Sequence, residues 1–192
     1  KYLGILLSGS GAMTDAKIDL RNRCRKAQYK LQSLLYNTNI KKSIALKLYD
    51  QLVKPISCYG CEYWGVMVKY KPPDLYKYDE LPQEKFHLAF MRFILGTNRY
   101  ASNLAVRGEL GRFPLYISIN RQIVKYLKRL ESRKCGRLLQ EAYNEQQKLA
   151  GCANVWLTNV SKLIESITNN SDTNTIKVDD FSQSIRNQYS NF

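Results

Sequence analysis

Asp15-Ala16-Lys17-Ile18-Asp19-Leu20-Arg21-Asn22-Arg23-Cys24-Arg25-Lys26-Ala27-Gln28-Tyr29-Lys30-Leu31-Gln32-Ser33-Leu34-Leu35 repeats its apolar residues at spacings of three and four. Ile18, Leu20, Cys24, Ala27, Leu31, Leu34 and Leu35 make one side of an amphipathic helix, and Lys17, Arg21, Arg25 and Lys30 the other. Thr14 or Asp15 is the expected N-cap, because a short side-chain oxygen there accepts from the free N–H groups of the first turn. Asn37-Thr38-Asn39 ends the pattern. Ile44, Ala45, Leu48, Tyr49, Leu52 and Val53 then predict a second helix, with Lys41 and Lys42 at its start and a stop at Pro55. The pair reads as a helical hairpin.

On the N-terminal side, residues 1 to 7 alternate loosely and run into Ser8-Gly9-Ser10-Gly11, the pattern of a short strand and a tight turn. On the C-terminal side, Ile56 to Val68 is apolar and aromatic, ambiguous by periodicity between helix and strand, with a helix favoured to Trp64. Residues 69–82, rich in Tyr, Lys and Pro, read as a linker. Phe86, Phe90, Met91, Phe93 and Ile94 predict a helix stopped by Gly96, and a short element follows from Asn103 to Leu110. A longer helix begins at Pro114, with Ile119, Ile123, Leu127 and Leu130 opposite Arg121, Lys125, Lys128, Arg129 and Arg133. Val155 to Ile167 is amphipathic, residues 168–175 are polar, and Phe181, Ile185 and Tyr189 suit a weak terminal helix. The expected fold is therefore mostly α, a helical bundle plus a second helical lobe with a short N-terminal β element. Its segments are 1–11, 12–68, the linker 69–82, 83–150, and the helices and polar tail of 151–192.

The 192 residues are 44% hydrophobic and 24% charged, which supplies a core for one domain or two small ones and argues against disorder, collagen or a disulfide scaffold. The formal charge is +14, and it is unevenly held: residues 1–149 carry 27 basic and 12 acidic side chains, residues 150–192 only 3 and 4. Such an excess repels itself unless a polyanion lies against it, so nucleic acid is the expected partner of the first three quarters. Apolar runs such as Ile5 to Leu7 fall far short of the ~20 residues of a membrane helix. The chain opens on Lys1-Tyr2-Leu3-Gly4 with neither an initiating Met nor a leader, and reads as a fragment of a longer protein without a secretory signal. Five cysteines, an odd number within apolar or helical patterns, suit reduced thiols and an intracellular, nuclear or cytoplasmic, setting.

No pattern in the sequence makes a convincing active site. His87 stands alone among Phe86 and Phe90, where packing is the plainer role than acid-base work. Cys58-x-x-Cys61 has the spacing of half a zinc site but no second pair of ligands. Asp79-Glu80 and Asp179-Asp180 read as solvated charge, and Gly4, Gly9 and Gly11 lack the Lys-Ser/Thr ending of a phosphate loop. Two basic helical faces remain. Nine basic residues against Asp19 lie between Lys17 and Lys47, and seven against Glu131 between Arg121 and Arg137. Tyr29, Tyr36, Tyr49 and Tyr126 interleave with these charges and suit either stacking on bases or the edges of the core.

An ordered series of short motifs carries a resemblance. Tyr2-Leu3-Gly4 is followed by the basic helix, then by Leu48-Tyr49-x-x-Leu52-Val53-x-Pro55 and Tyr59-Gly60-x-Glu62-x-Trp64. Phe90-x-Arg92-x-Ile94-Leu95-Gly96 and Val106-Arg107-Gly108-Glu109-Leu110-Gly111-Arg112-x-Pro114-Leu115 complete it. In this order, over residues 2 to 130, the chain resembles the region after the polymerase palm in reverse transcriptases of non-LTR retrotransposons, the LINE-type, jockey or CR1-like elements. The resemblance implies that residues 1–11 are the palm edge, with Tyr2, Leu3 and Gly4 at the primer grip. It implies that residues 12 to 66 form a helical thumb and that the lobe beyond is the post-polymerase region.

The paired catalytic Asp residues of the family's Tyr-x-Asp-Asp turn are absent. The resemblance therefore implies no catalytic residue, metal ligand or cofactor on this chain. Magnesium is expected only in a palm that would lie, with the fingers and an endonuclease domain, elsewhere in the same polyprotein. What it leaves to this chain is holding an RNA-DNA hybrid, RNA or DNA through phosphates, without base specificity. Lys17, Arg21, Arg25 and Lys30 are the expected contacts, supported by Lys41 and Lys42. Arg107, Arg112, Arg121, Lys125 and Lys128 are second choices, because a structural ion pair about Glu109 explains Arg107 and Arg112 equally well. The alternative is a palm-less, domesticated helical module that binds nucleic acid or a protein.

Overall fold

A computed structural model describes residues 4–6, 9, 13–67, 78–132, 135–152, 155–168 and the single positions 183, 186 and 187. The protein is mostly helical, with α1 at Thr14–Tyr36, α2 at Lys42–Leu52, α3 at Lys54–Ser57, α4 at Cys61–Trp64 and α5 at Pro82–Leu95. There follow α6 at Asn103–Leu110, α7 at Leu115–Glu131, α8 at Arg137–Lys148 and α9 at Trp156–Thr168, while a 3-10 turn spans Gly65–Met67. No strand occurs among the described residues: the expected N-terminal β element is represented only by an isolated bridge at Ile5. Most of the linker, the polar stretch after Thr168, and Phe181, Ile185 and Tyr189 lie outside the described residues.

The chain packs as two compact units, Lys1–Gly60 with Tyr78–Leu115, and Cys61–Lys77 with Tyr116–Phe192. In the first unit α1 packs against α2, α3 and α5, and α5 against α6. Leu31, Tyr49, Val53 and Phe90 form one core cluster, flanked by Ala27, Leu35, Leu46, Leu48 and Ile94. Leu88, Met91 and Val106 form a second. The buried row of α1 is Ala16, Leu20, Cys24, Gln28 and Leu31. This corrects the apolar face read from sequence, since Ile18 and Leu34 are exposed, as are Ile44 and Leu52 of α2. Ile18 lies two positions from Leu20, about 200° around the helix at 100° per residue, so the two cannot share one stripe. Nor does a side chain cap α1; Met13 occupies the cap position, and Asp15 sits in the first turn, where its charge suits the helix dipole.

α2 ends at Leu52, just ahead of Pro55 as expected, and Pro55 then sits in the first turn of the short α3, where the missing N–H costs nothing. The ambiguous stretch after it is helical through Trp64, with a break between Ser57 and Cys61. Gly96 and Gly111 end α5 and α6 in the left-handed conformation, at φ 67° and 59°. Each allows the next N–H to reach back into its helix, Thr97 to Arg92 O at 3.1 Å and Arg112 to Arg107 O at 2.8 Å.

The second unit buries Trp64, Ile119, Ile123, Leu127, Val160 and Ile164. Gly65 lets the 3-10 turn close on α7, because a Cβ there would stand 2.6 Å from Ile119 Cγ2. Trp156 pins α9 to α4 by donating from Nε1 to Glu62 O at 2.8 Å.

Candidate nucleic-acid interface

Since α1 is held along its Ala16-to-Leu31 row, its opposite side is fixed in solvent. Arg21, Arg25, Lys26 and Lys30 are exposed there, together with Tyr29 and Tyr36. The Arg25 guanidinium lies 5.6 Å from the centre of the Tyr29 ring, a cation-π contact on the helix surface. Lys17 departs from this set. It is only half-buried, on the edge of the packed row, and burial pulls its ammonium below the ordinary lysine range. Arg23, between these positions in sequence, bridges to Asp19 at 2.8 Å and donates to Gly4 O at 2.6 Å. Gly4 is thus tied to α1, whereas Tyr2 and Leu3 lie outside the described residues. Lys41 and Lys42 are exposed at the start of α2.

The second-choice residues separate by environment. Arg107 is buried on α6, where Nη2 donates to Asp79 Oδ1 at 2.6 Å and to Glu84 Oε1 at 2.8 Å. Glu84 Oε2 accepts the Leu115 N–H at 2.7 Å, and its Oε1 lies 3.3 Å from His87 Nδ1. Asp79 also accepts from Asn103 Nδ2 at 2.8 Å, and Asn103 in turn accepts from Arg92. The reading of Asp79 as solvated charge is therefore corrected: a two-residue view could not see its partner on α6. Burial pushes the Glu84 carboxyl up, but the His87 contact and the Arg107 guanidinium outweigh it and hold the group below its usual value. Burial likewise works against the charge on Arg107, and the two carboxylates overcome it.

Arg112 bridges to Asp50 of α2 at 2.7 Å, a partner far from the neighbouring Glu109 in sequence. On α7, Arg121 and Lys125 are exposed and Lys128 is intermediate. His87 is buried, stacked on Tyr49 with ring centres 5.5 Å apart, and Tyr49 stacks in turn on Phe90 at 4.5 Å. Burial raises the Tyr49 hydroxyl well above the ordinary tyrosine range. Tyr126 meets Trp156 edge-on. The four interleaved tyrosines thus divide, Tyr49 and Tyr126 to packing and Tyr29 and Tyr36 to solvent.

Cys58 and Cys61 are buried and form no disulfide, and Cys61 donates to Gln122 Oε1 at 2.9 Å. Among the described residues no three His, Cys, Asp or Glu side chains cluster as metal ligands, and no helix is long and apolar enough to cross a membrane. Sequence reasoning passed over Lys26 on the α1 face, which the count of cations alone would have included. It also passed over Arg99 and Tyr100 in the α5–α6 loop, exposed with the guanidinium 4.6 Å from the ring centre. Comparison of the chain with protein-family models, curated proteins and solved structures returns no match.

Proposed function

We propose that this chain is the thumb and post-polymerase part of a non-LTR retrotransposon reverse transcriptase, and that it grips template-primer duplex through phosphate contacts. The observation that carries the reading is the set of exposed cations Arg21, Arg25, Lys26 and Lys30, spread over the half of α1 that faces away from its buried row. These four charges lie within about 14 Å of helix at 1.5 Å per residue, where their mutual repulsion is best relieved by a polyanion. Lys41 and Lys42 extend the set. In this reading α1, α2 and α3 are thumb, and α5 and α6 of the post-polymerase stretch fold into the same unit with them. Nucleotidyl transfer and its magnesium belong to a palm carried elsewhere, and the setting is nuclear or cytoplasmic. Arg107 braces the fold and does not touch phosphate.

The test is binding to an RNA-DNA hybrid, a DNA duplex and single-stranded RNA over a salt series. Binding that weakens with salt, with a slope near −0.9 per neutralised phosphate on duplex, is the expected result. The variant R21E/R25E/K30E is expected to lose most of the affinity. Binding that ignores salt, or that survives the triple variant unchanged, would overturn the reading of this face.

A further inference from the structure

The exposed face of α1 holds more than charge. Tyr29 and Tyr36 are 59% and 83% exposed. Seven residues apart, they return to the same side of the helix after almost two turns, and Arg25 joins that line four residues before Tyr29. Beyond the surface contact of Tyr29 with Arg25, two large rings left mostly in water bury little for the fold, and the core takes Tyr49 and Phe90 instead. Phosphate contact alone does not call for rings either. A ring flanked by cations is the arrangement that holds an unpaired base by its face while the neighbouring charges hold its phosphates. The two positions lie about 10.5 Å apart along the helix axis, roughly three rises of a stacked strand at 3.4 Å each. Bases paired within a duplex have both faces covered by their neighbours, so only a single strand offers them.

We propose that Tyr29 and Tyr36 form a stacking platform for single-stranded nucleic acid, flanked by Arg21, Arg25, Lys26 and Lys30. This inference rests on the reading of α1 as a nucleic-acid face: the cations hold duplex and single strand alike, and the rings add a site for the unpaired template beyond the duplex. The cations, set on both sides of the rings, supply an attraction shared by every polyanion. The rings add a preference for strands whose bases are open, without regard to which base is present, since each has a π-face.

The deciding comparison sets oligo-dT against an abasic phosphodiester strand of the same length, which keeps the charge and removes the bases. The wild-type chain should bind oligo-dT at least about tenfold tighter than the abasic strand, given the usual strength of base-ring stacking. Y29A/Y36A should reduce that ratio to about one while leaving affinity for the abasic strand in place. Y29F/Y36F, which keeps the rings, should preserve it. Y63A, removing an exposed tyrosine beyond the first unit, should change nothing. Equal wild-type affinities for the two strands would overturn the stacking platform, as would an unchanged ratio in Y29A/Y36A. If R21E/R25E/K30E binds the abasic strand as tightly as wild type, the phosphate face itself falls and takes this inference with it. Loss of abasic binding in that variant beside equal wild-type affinities removes only the stacking.

Discussion

Arg107 and Arg25 carry the same guanidinium into opposite surroundings. The side chain of Arg107 is 3% exposed and is closed in by the carboxylates of Asp79 and Glu84. Arg25 stands in solvent over the ring of Tyr29. An ion taken out of water must recover its hydration energy from partners, and removing those partners exposes the whole cost. A charge on an exposed helix face owes little to any neighbour and stays available to an incoming polyanion. The more motif-like of the two stretches, Val106-Arg107-Gly108-Glu109-Leu110-Gly111, is the one that holds the fold together, and the plain basic helix is the one turned outward.

Arg107→Ala is the strongest way to break this comparison. It would leave Glu84 and Asp79 facing each other without their shared cation, a loss of about 3–5 kcal/mol in unfolding free energy. Urea unfolding followed by circular dichroism measures it, and a loss below about 1 kcal/mol, the range of exposed pairs, would place Arg107 with the surface charges.

Glu84→Gln sharpens the same point at about 1.5–3 kcal/mol, because the amide still accepts the Leu115 N–H but no longer neutralises Arg107. It also changes the acid response. The Glu84 carboxyl is held below 4.5 in the folded chain, so near that pH the unfolded chain takes up its proton first. The stabilisation is complete above pH 4.5 and drains away as pH falls through the lower folded value. Wild-type stability should therefore fall more steeply below pH 4.5 than that of E84Q. Parallel profiles would detach the carboxylate from the network.

The helical character was legible because it rests on local spacing. The period of α1 and the stop at Gly96 and Gly111 are written within a turn or two of where they act. What was not legible depends on distance along the chain. Leu34 belongs to the apolar stripe by spacing and is nevertheless exposed, because which part of the stripe is covered depends on where α2, α3 and α5 land. Arg107 meets Asp79 across 28 positions, and Arg112 meets Asp50 across 62, so the adjacent Glu109 was the only visible candidate. The same limit hid the division of the tyrosines: interleaving with Lys and Arg is common to Tyr29 and Tyr49, and only packing separates them. The crossing of the chain after Gly60 and its return at Tyr78 join segments that no linear reading pairs.

Arg112→Ala lies between the two extremes. Its bridge to Asp50 is geometrically close at 2.7 Å, but both side chains keep a quarter to a third of their exposure. Water and salt already screen such a pair, and the expected cost is at most about 1 kcal/mol, shrinking as salt is added. A salt-insensitive loss of several kcal/mol would join Arg112 to the buried network.

The smallest expected effect on stability belongs to R21E/R25E/K30E. None of the three side chains is needed to close the core, and surface changes of this kind usually stay within about 0.5 kcal/mol each. Lowering the net positive charge relieves self-repulsion and works toward a gain. The same variant is the one expected to abolish most nucleic-acid binding, whereas Arg107→Ala should weaken binding only as far as it depletes the folded state. The two variants thus exchange their effects between an unfolding curve and a binding isotherm. If the triple variant unfolds as readily as Arg107→Ala, the cations of α1 brace the helix, and an exposed row of charge is no guide to where this protein meets its partner.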